Sequence, residues 1–353
     1  MQQQRPHLAA MRLDELQQWM HARNEPAYRA GQVLAWRNKG VLDPDRMRNL
    51  PVELRGNLLS QIDCQTLALV EKQCSSDGTR KYLFRLPLGK TIETVFIPEN
   101  RRGTVCVSSQ SGCVLDCPFC HTGTQRFEGN LSAAEIVAQV LMVKQDLHND
   151  PPSEDICDQV THIVYMGMGE PMANERGVHQ SLSILLDAQE GLGLSRRRIT
   201  VSTSGLVPAV ERLGHAFPVN LAISLHAASN DLRDVLVPIN RKYPLEQLRR
   251  CLDDYPLGRQ RHITLEYVML AGVNDRPEDL EDLVRFVHCE RERVNLIHFN
   301  PYPGSPYSGS SREHMNGFSE ELIKKGIRAT VRRSRGSDIM AACGQLKTAA
   351  GTN

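Results

Sequence analysis

The chain has 353 residues, 41% hydrophobic and 24% charged, with a formal net charge of +1. It exceeds one typical core, so a large domain with a smaller companion is expected, and near-neutrality neither demands nor excludes a nucleic-acid partner. No apolar run is long enough to span a bilayer, Met1-Gln2-Gln3-Gln4-Arg5-Pro6 has no apolar stretch behind its charge, and ten unevenly spaced cysteines do not make the dense framework of a small secreted domain, so a reducing, cytoplasmic setting without membrane is expected.

Leu13, Leu16 and Met20 fall on one helical face, and helical stretches near Tyr28–Trp36 and Val52–Ile62 complete a small helical domain over 1–62. Three strand-like runs follow, Thr66–Lys72, Lys81–Leu86 and Thr91–Pro98, divided by turn signals at Ser76-Asp77-Gly78 and Leu88-Gly89. They predict a short antiparallel β extension over 63–103 that joins the two parts. From residue 104 strands alternate with helices: Thr104–Ser109, His162–Met166, Arg198–Thr203, Asn220–Leu225, His262–Met269, Val294–Phe299 and Ile327–Arg332. The first intervening helix is marked by a Ser132/Glu135 capping box, by Ile136, Val140 and Val143, and by a stop near Asn149-Asp150-Pro151-Pro152. This alternation predicts an α/β fold, a parallel sheet wound into a partial or full β/α barrel over 104–346, with 347–353 as a flexible tail.

Directly after the first strand of that series comes C-x-x-x-C-x-x-C, formed by Cys113, Cys117 and Cys120. Three thiolates satisfy three irons of a four-iron cluster and leave the fourth open for chemistry. A structural zinc site would need a fourth ligand, and His121 lies too close along the chain for the usual zinc spacings. The remaining motifs recur at strand ends: Gly167-Met168-Gly169-Glu170-Pro171, Ser202-Thr203-Ser204-Gly205, Ser224-Leu225-His226 and His298-Phe299-Asn300-Pro301. In a barrel those ends surround one pocket, where hydroxyls suit a ribose or carboxylate and Asn300 offers donor and acceptor to an adenine edge. Two basic runs, Arg196-Arg197-Arg198 and the series Lys324, Lys325, Arg328, Arg332, Arg333 and Arg335, suit either a solvated face or a grip on phosphates.

Taken in order, the run from Cys106 to Cys113, the cysteine motif, the strand-end motifs and the terminal Ala341-Ala342-Cys343-Gly344-Gln345-Leu346 resemble the RlmN/Cfr family of radical S-adenosylmethionine (SAM) enzymes. The likeness extends to Tyr28-Arg29-Ala30 through Pro51 and to Thr91-Ile92-Glu93-Thr94-Val95. It implies a partial barrel of radical SAM type with a 4Fe-4S cluster on Cys113, Cys117 and Cys120. SAM contacts carry over to Gly169, Glu170, Ser202, Ser224, Leu225, His226 and Asn300. The implied activity is methylation of the C2 carbon of adenine in 23S rRNA and beside the anticodon of tRNAs, by a monomer served by an electron donor such as flavodoxin. That carbon is too electron-poor for ordinary methyl transfer. By resemblance, SAM methylates the Cys343 thiolate, and a radical from a second SAM takes a hydrogen from that S-methyl group. The carbon adds to the ring, Glu93 removes the ring proton, and Cys106 attacks the Cys343 sulfur, leaving a transient disulfide. Alternatives are C8 methylation by a relative with the same cysteines, and a non-catalytic RNA-binding module with a structural metal, which gives Cys106 and Cys343 no role. The chain departs from common family residues at His121, near Gly129, and at Ser337 and Met340.

Overall fold

Strand runs bounded by turn signals and joined by amphipathic helices build one large sheet in the computed structural model, which describes residues 5–65, 67–153, 156–189 and 191–347. Thr66, expected to open the first strand, most of the expected tail beyond Lys347, and Met1 to Gln4 lie outside the described residues. Three helices come first, α1 (Leu13–His21), α2 (Tyr28–Asn38) and α3 (Val52–Gln61). Their buried residues, Leu16, Met20, Val33, Leu54 and Leu58 among them, join the same apolar core as the barrel.

Strands β1 (Ala68–Cys74), β2 (Arg80–Arg85), β3 (Thr91–Glu99) and β4 (Arg102–Cys106) pair antiparallel in succession. Gln110–Ser111 (β5) and Gly129–Asn130 (β6) form a separate two-stranded ribbon at the two ends of the cysteine loop. Beyond the loop come β7 (His162–Tyr165), β8 (Ile199–Thr203), β9 (Asn220–Ser224), β10 (Ile263–Met269), β11 (Glu292–His298) and β12 (Ala329–Arg332). Each pairs parallel with the next, and β4 pairs parallel with β7. The antiparallel extension is therefore not a separate small sheet. It is one flank of a ten-stranded sheet ordered β1-β2-β3-β4-β7-β8-β9-β10-β11-β12, in which β4 serves both halves. Since β12 is an end of that order, the barrel is partial, with an open seam between β12 and the β3/β4 side.

Among the described residues seven further α-helices wind the sheet: α4 (Ala133–Asn149), α5 (Glu175–Leu186), α6 (Val207–Ala216), α7 (Asn230–Leu236), α8 (Leu245–Asp254), α9 (Pro277–Phe286) and α10 (Arg312–Lys324). The start of α4 is fixed by a capping box, in which Ser132 accepts from the Glu135 N–H and the Glu135 carboxylate accepts from the Ser132 N–H. Its Gln139 is fully buried, accepting from the Ser108 N–H and the Thr94 hydroxyl, both at 2.8 Å, and donating to the Ser108 carbonyl at 2.9 Å. One side chain thereby completes the backbone pairing where β4 ends and the cysteine loop begins. No helix among the described residues is long and apolar enough to cross a membrane.

Candidate active site

The C-terminal ends of the parallel strands and the cysteine loop enclose a cavity of about 160 Å³, whose walls include Cys113, Cys117, Cys120, Gly169, Glu170 and Cys343. Burial pushes up all three motif thiols, Cys113 to about 12 and Cys117 well above its ordinary value. As bare side chains they stay protonated near neutrality, and a bound cation is what would stabilise them as thiolates. Among the described residues no group of three or more His, Cys, Asp or Glu side chains is arranged to hold one metal ion. A four-iron cluster asks for a different arrangement, three thiolates each on its own iron around one space, and these cysteines fit it.

The strand-end motifs are cross-tied by hydrogen bonds. The Glu170 carboxylate accepts from the Met172 N–H at 2.9 Å and from the Ser204 N–H at 2.8 Å, linking the end of β7 to that of β8. Burial raises its pKa and these donors oppose the rise. Gly169 has φ +93°, and a Cβ there would lie 2.4 Å from that of Gln110, so only glycine fits. Gln110 matters because its Oε1 accepts from the N–H groups of Glu170 and Val114, tying the turn to the cysteine loop. Arg233, fully buried on α7, donates to the carbonyls of Ser204, Leu225 and Ser224; nothing in the chemistry of the motifs pointed to it.

Of the expected SAM contacts, Gly169, Glu170, Ser202, Ser224 and His226 line this cavity. His226 adopts φ +58°, accepts from the Val268 N–H through Nδ1 at 3.0 Å, and is driven by burial down to about 3, so it is a neutral ring. Two expected contacts lie elsewhere. Leu225 is fully buried outside the lining, and Asn300 donates from Nδ2 to the Cys343 carbonyl at 3.4 Å.

Asn300 belongs instead to a second cavity, about 390 Å³, at the open seam. Cys106, at the end of β4, and Cys343, on the segment after β12, both line it, and Cys343 lines the first cavity as well. All ten cysteines are free thiols. The Cys343 segment is strapped down from several sides: Asp338 accepts from the Ser75 hydroxyl at 2.6 Å, the His121 N–H donates to the Gly344 carbonyl at 2.8 Å, and Thr122 Oγ1 donates to the Leu346 carbonyl at 2.6 Å. His121 is buried and stacks on Tyr302 with ring centroids 4.5 Å apart.

Glu93 lines neither cavity. It is 5% exposed, pairs with Lys81 Nζ at 3.3 Å and accepts from the Lys347 N–H at 2.9 Å, so the Cys343 segment passes over it. On β3 it shares a face with Ile97 and Glu99, which do line the seam. Arg332 departs from the basic surface run expected of it. It lines both cavities, and Arg333 beside it is exposed.

Residues 107–287 match the radical SAM superfamily, and residues 7–63 match the ribosomal RNA large subunit methyltransferase N-terminal domain. The chain is 48% identical to the dual-specificity RNA methyltransferase RlmN of Parvibaculum lavamentivorans, over 98% of this chain and 90% of that protein. The chain belongs to the RlmN family. The RlmN protein of Rhizorhabdus wittichii is likewise 48% identical, over 91% of this chain and 81% of that one. A crystal structure of a radical SAM methyltransferase from Sphaerobacter thermophilus superposes with a TM-score of 0.90 at 42% identity, covering 97% of this chain and 99% of that one. As an RlmN-family protein the chain is a SAM-dependent RNA methyltransferase that works with a 4Fe-4S cluster and SAM.

Proposed function

We propose that this RlmN-family chain methylates the C2 carbon of adenine, in 23S rRNA and in tRNAs, with Cys343 as methyl carrier, Cys106 as resolving thiol and Glu93 as base. The observation that carries the reading is the shared position of Cys343, which borders the cavity of the cysteine motif and, with Cys106, the seam. Bound in the first cavity, cluster and SAM would supply a methyl group and a 5′-deoxyadenosyl radical. Cys113, Cys117 and Cys120 would hold the cluster, while Gly169, Glu170, Ser202, Ser224 and His226 would wall the space for SAM. Cys343 takes the methyl group on its sulfur and presents that carbon to the adenine. Cys106 then attacks the Cys343 sulfur, which frees the methylated base and leaves the two cysteines as a disulfide for a later reduction.

RNA is held outside the barrel by the helical unit over 1–62 and by exposed cations such as Arg196, Arg197, Lys325 and Arg333, with the target adenine unstacked into the barrel. The reading also takes a flavodoxin-type electron donor and a monomer in the cytoplasm beside its RNA substrates. Incubation of reconstituted protein with 23S rRNA fragments and tRNA, followed by mass spectrometry of nucleoside digests, tests it. C2-methyladenosine from both RNAs is expected; C8-methyladenosine, or no methylated adenosine, would overturn it.

A further inference from the structure

Strand β12 delivers Arg332 to the place where the two cavities meet. Among the described residues no carbonyl, carboxylate or other side chain hydrogen-bonds or ion-pairs with its guanidinium. Its charged and titratable neighbours are Cys343 on the terminal segment, Glu266 on β10, Cys106 on β4 and Glu99 on β3. Arg333 and Arg335 also line the seam, but Arg333 is exposed and Arg335 lies 3.8 Å from Asp77. Half-buried, facing the space of both cavities and near the Glu266 and Glu99 carboxylates without a direct bond to either, the guanidinium keeps N–H donors for a further anion. It suits a site where negative charge develops during the reaction.

Cys106 is the group in the seam that must become negative. Burial pushes its thiol up to about 12, the neighbouring Cys343 pushes the same way, and Arg332 is the cation that opposes them. A thiol in that state is almost entirely protonated at neutral pH and is a poor nucleophile. We propose that Arg332 is the positioning residue of the resolving step, its guanidinium holding the Cys106 thiolate in the seam and aiming it at the Cys343 sulfur. This rests on the roles given to Cys106 and Cys343 above. In that step the thiolate's electron pair forms the Cys106–Cys343 S–S bond while the bond from the Cys343 sulfur to the transferred carbon breaks. The carbon keeps that bond's electron pair and takes a proton from water to become the methyl group.

The test measures iodoacetamide alkylation of Cys106 against pH in the full-length, cluster-loaded protein without RNA, read by peptide mass spectrometry. Arg332→Gln and Arg332→Met are each expected to slow alkylation at pH 8 by about tenfold or more, as loss of a neighbouring opposite charge predicts. Arg332→Lys should retain most of the rate, and Arg333→Gln, whatever its effect on RNA binding, should leave Cys106 alkylation without RNA as it is. Cluster absorbance and thermal melting identify any variant that has not folded, and the two charge-removing variants back each other. An unchanged Cys106 profile in a folded charge-removing variant, an equal loss in Arg333→Gln, or no alkylation of Cys106 in any protein would overturn the proposal. So would weakened RNA binding by Arg332→Gln with an unchanged profile, which would make the guanidinium a phosphate ligand. Each of these results leaves the cysteine roles standing if Cys106→Ala still fails to turn over. Normal turnover by Cys106→Ala would instead remove the reading beneath.

Discussion

The Glu93 carboxylate has two tasks that one substitution separates. It accepts from the Lys347 N–H, which helps seat the Cys343 segment, and under the proposed chemistry it removes the ring proton. Burial raises its pKa above the usual carboxylate value, with Lys81 and the Lys347 N–H pulling it back. The sign follows: protonation on acidification occurs at a higher pH than for an exposed carboxylate, so turnover should fall as pH drops through that raised value. Glu93→Gln keeps an acceptor oxygen for Lys347 but takes no proton. Turnover should fall by about two to four orders of magnitude, with S-methylation of Cys343 still detectable by mass spectrometry. Full turnover by Glu93→Gln would remove its role as base. At this scale Cys113, Cys117 and Cys120 could be read from their spacing, whereas Cys106 and Cys343, isolated along the chain, are singled out only by the resemblance to a family. Arg332 was legible in neither way. In a linear string it belongs to a basic run, and only the fold parts it from Arg333: Arg332 closes β12 and reaches both cavities, while Arg333, just past the strand, is exposed.

Among the elements, α4 does more than cover the sheet. Its buried Gln139 links it to the end of β4, and Ser108, which it holds, also donates from Oγ to the Glu93 carbonyl at 2.6 Å and accepts from the Met168 N–H at 2.9 Å. One glutamine thus aligns the strand that carries Cys106, the strand that carries Glu93, and the turn that carries Gly169. Gln139→Leu preserves bulk but strands the Ser108 N–H and carbonyl and the Thr94 hydroxyl, at about 1–3 kcal/mol for each group left unsatisfied. A clearly lowered melting temperature is expected by calorimetry of the cluster-loaded protein; an unchanged one would show that water replaces the amide. The strands themselves were readable, their runs of β-formers being bounded by turn residues. Their pairing was not. That β4 runs antiparallel to β3 and parallel to β7 is a tertiary fact, and it makes the expected joining extension a flank of the main sheet.

On the scale of the whole molecule, an open barrel and its terminal segment form two adjoining chambers with Cys343 at their junction. The strand-end rule for barrels made the first chamber foreseeable. The second depends on β12 and β4 failing to pair and on how the last fifteen or so described residues fold back, which no local pattern encodes. The central claim is that the two cysteines of the seam act in sequence, one carrying the carbon and the other releasing it. Incubating each variant with SAM, reductant and RNA, then running a denaturing gel, tests this most directly. Cys106→Ala should give a nuclease-sensitive shifted band, protein bound to RNA through Cys343, and Cys343→Ala should give none. Normal turnover by either variant, or the same band from both, would contradict it.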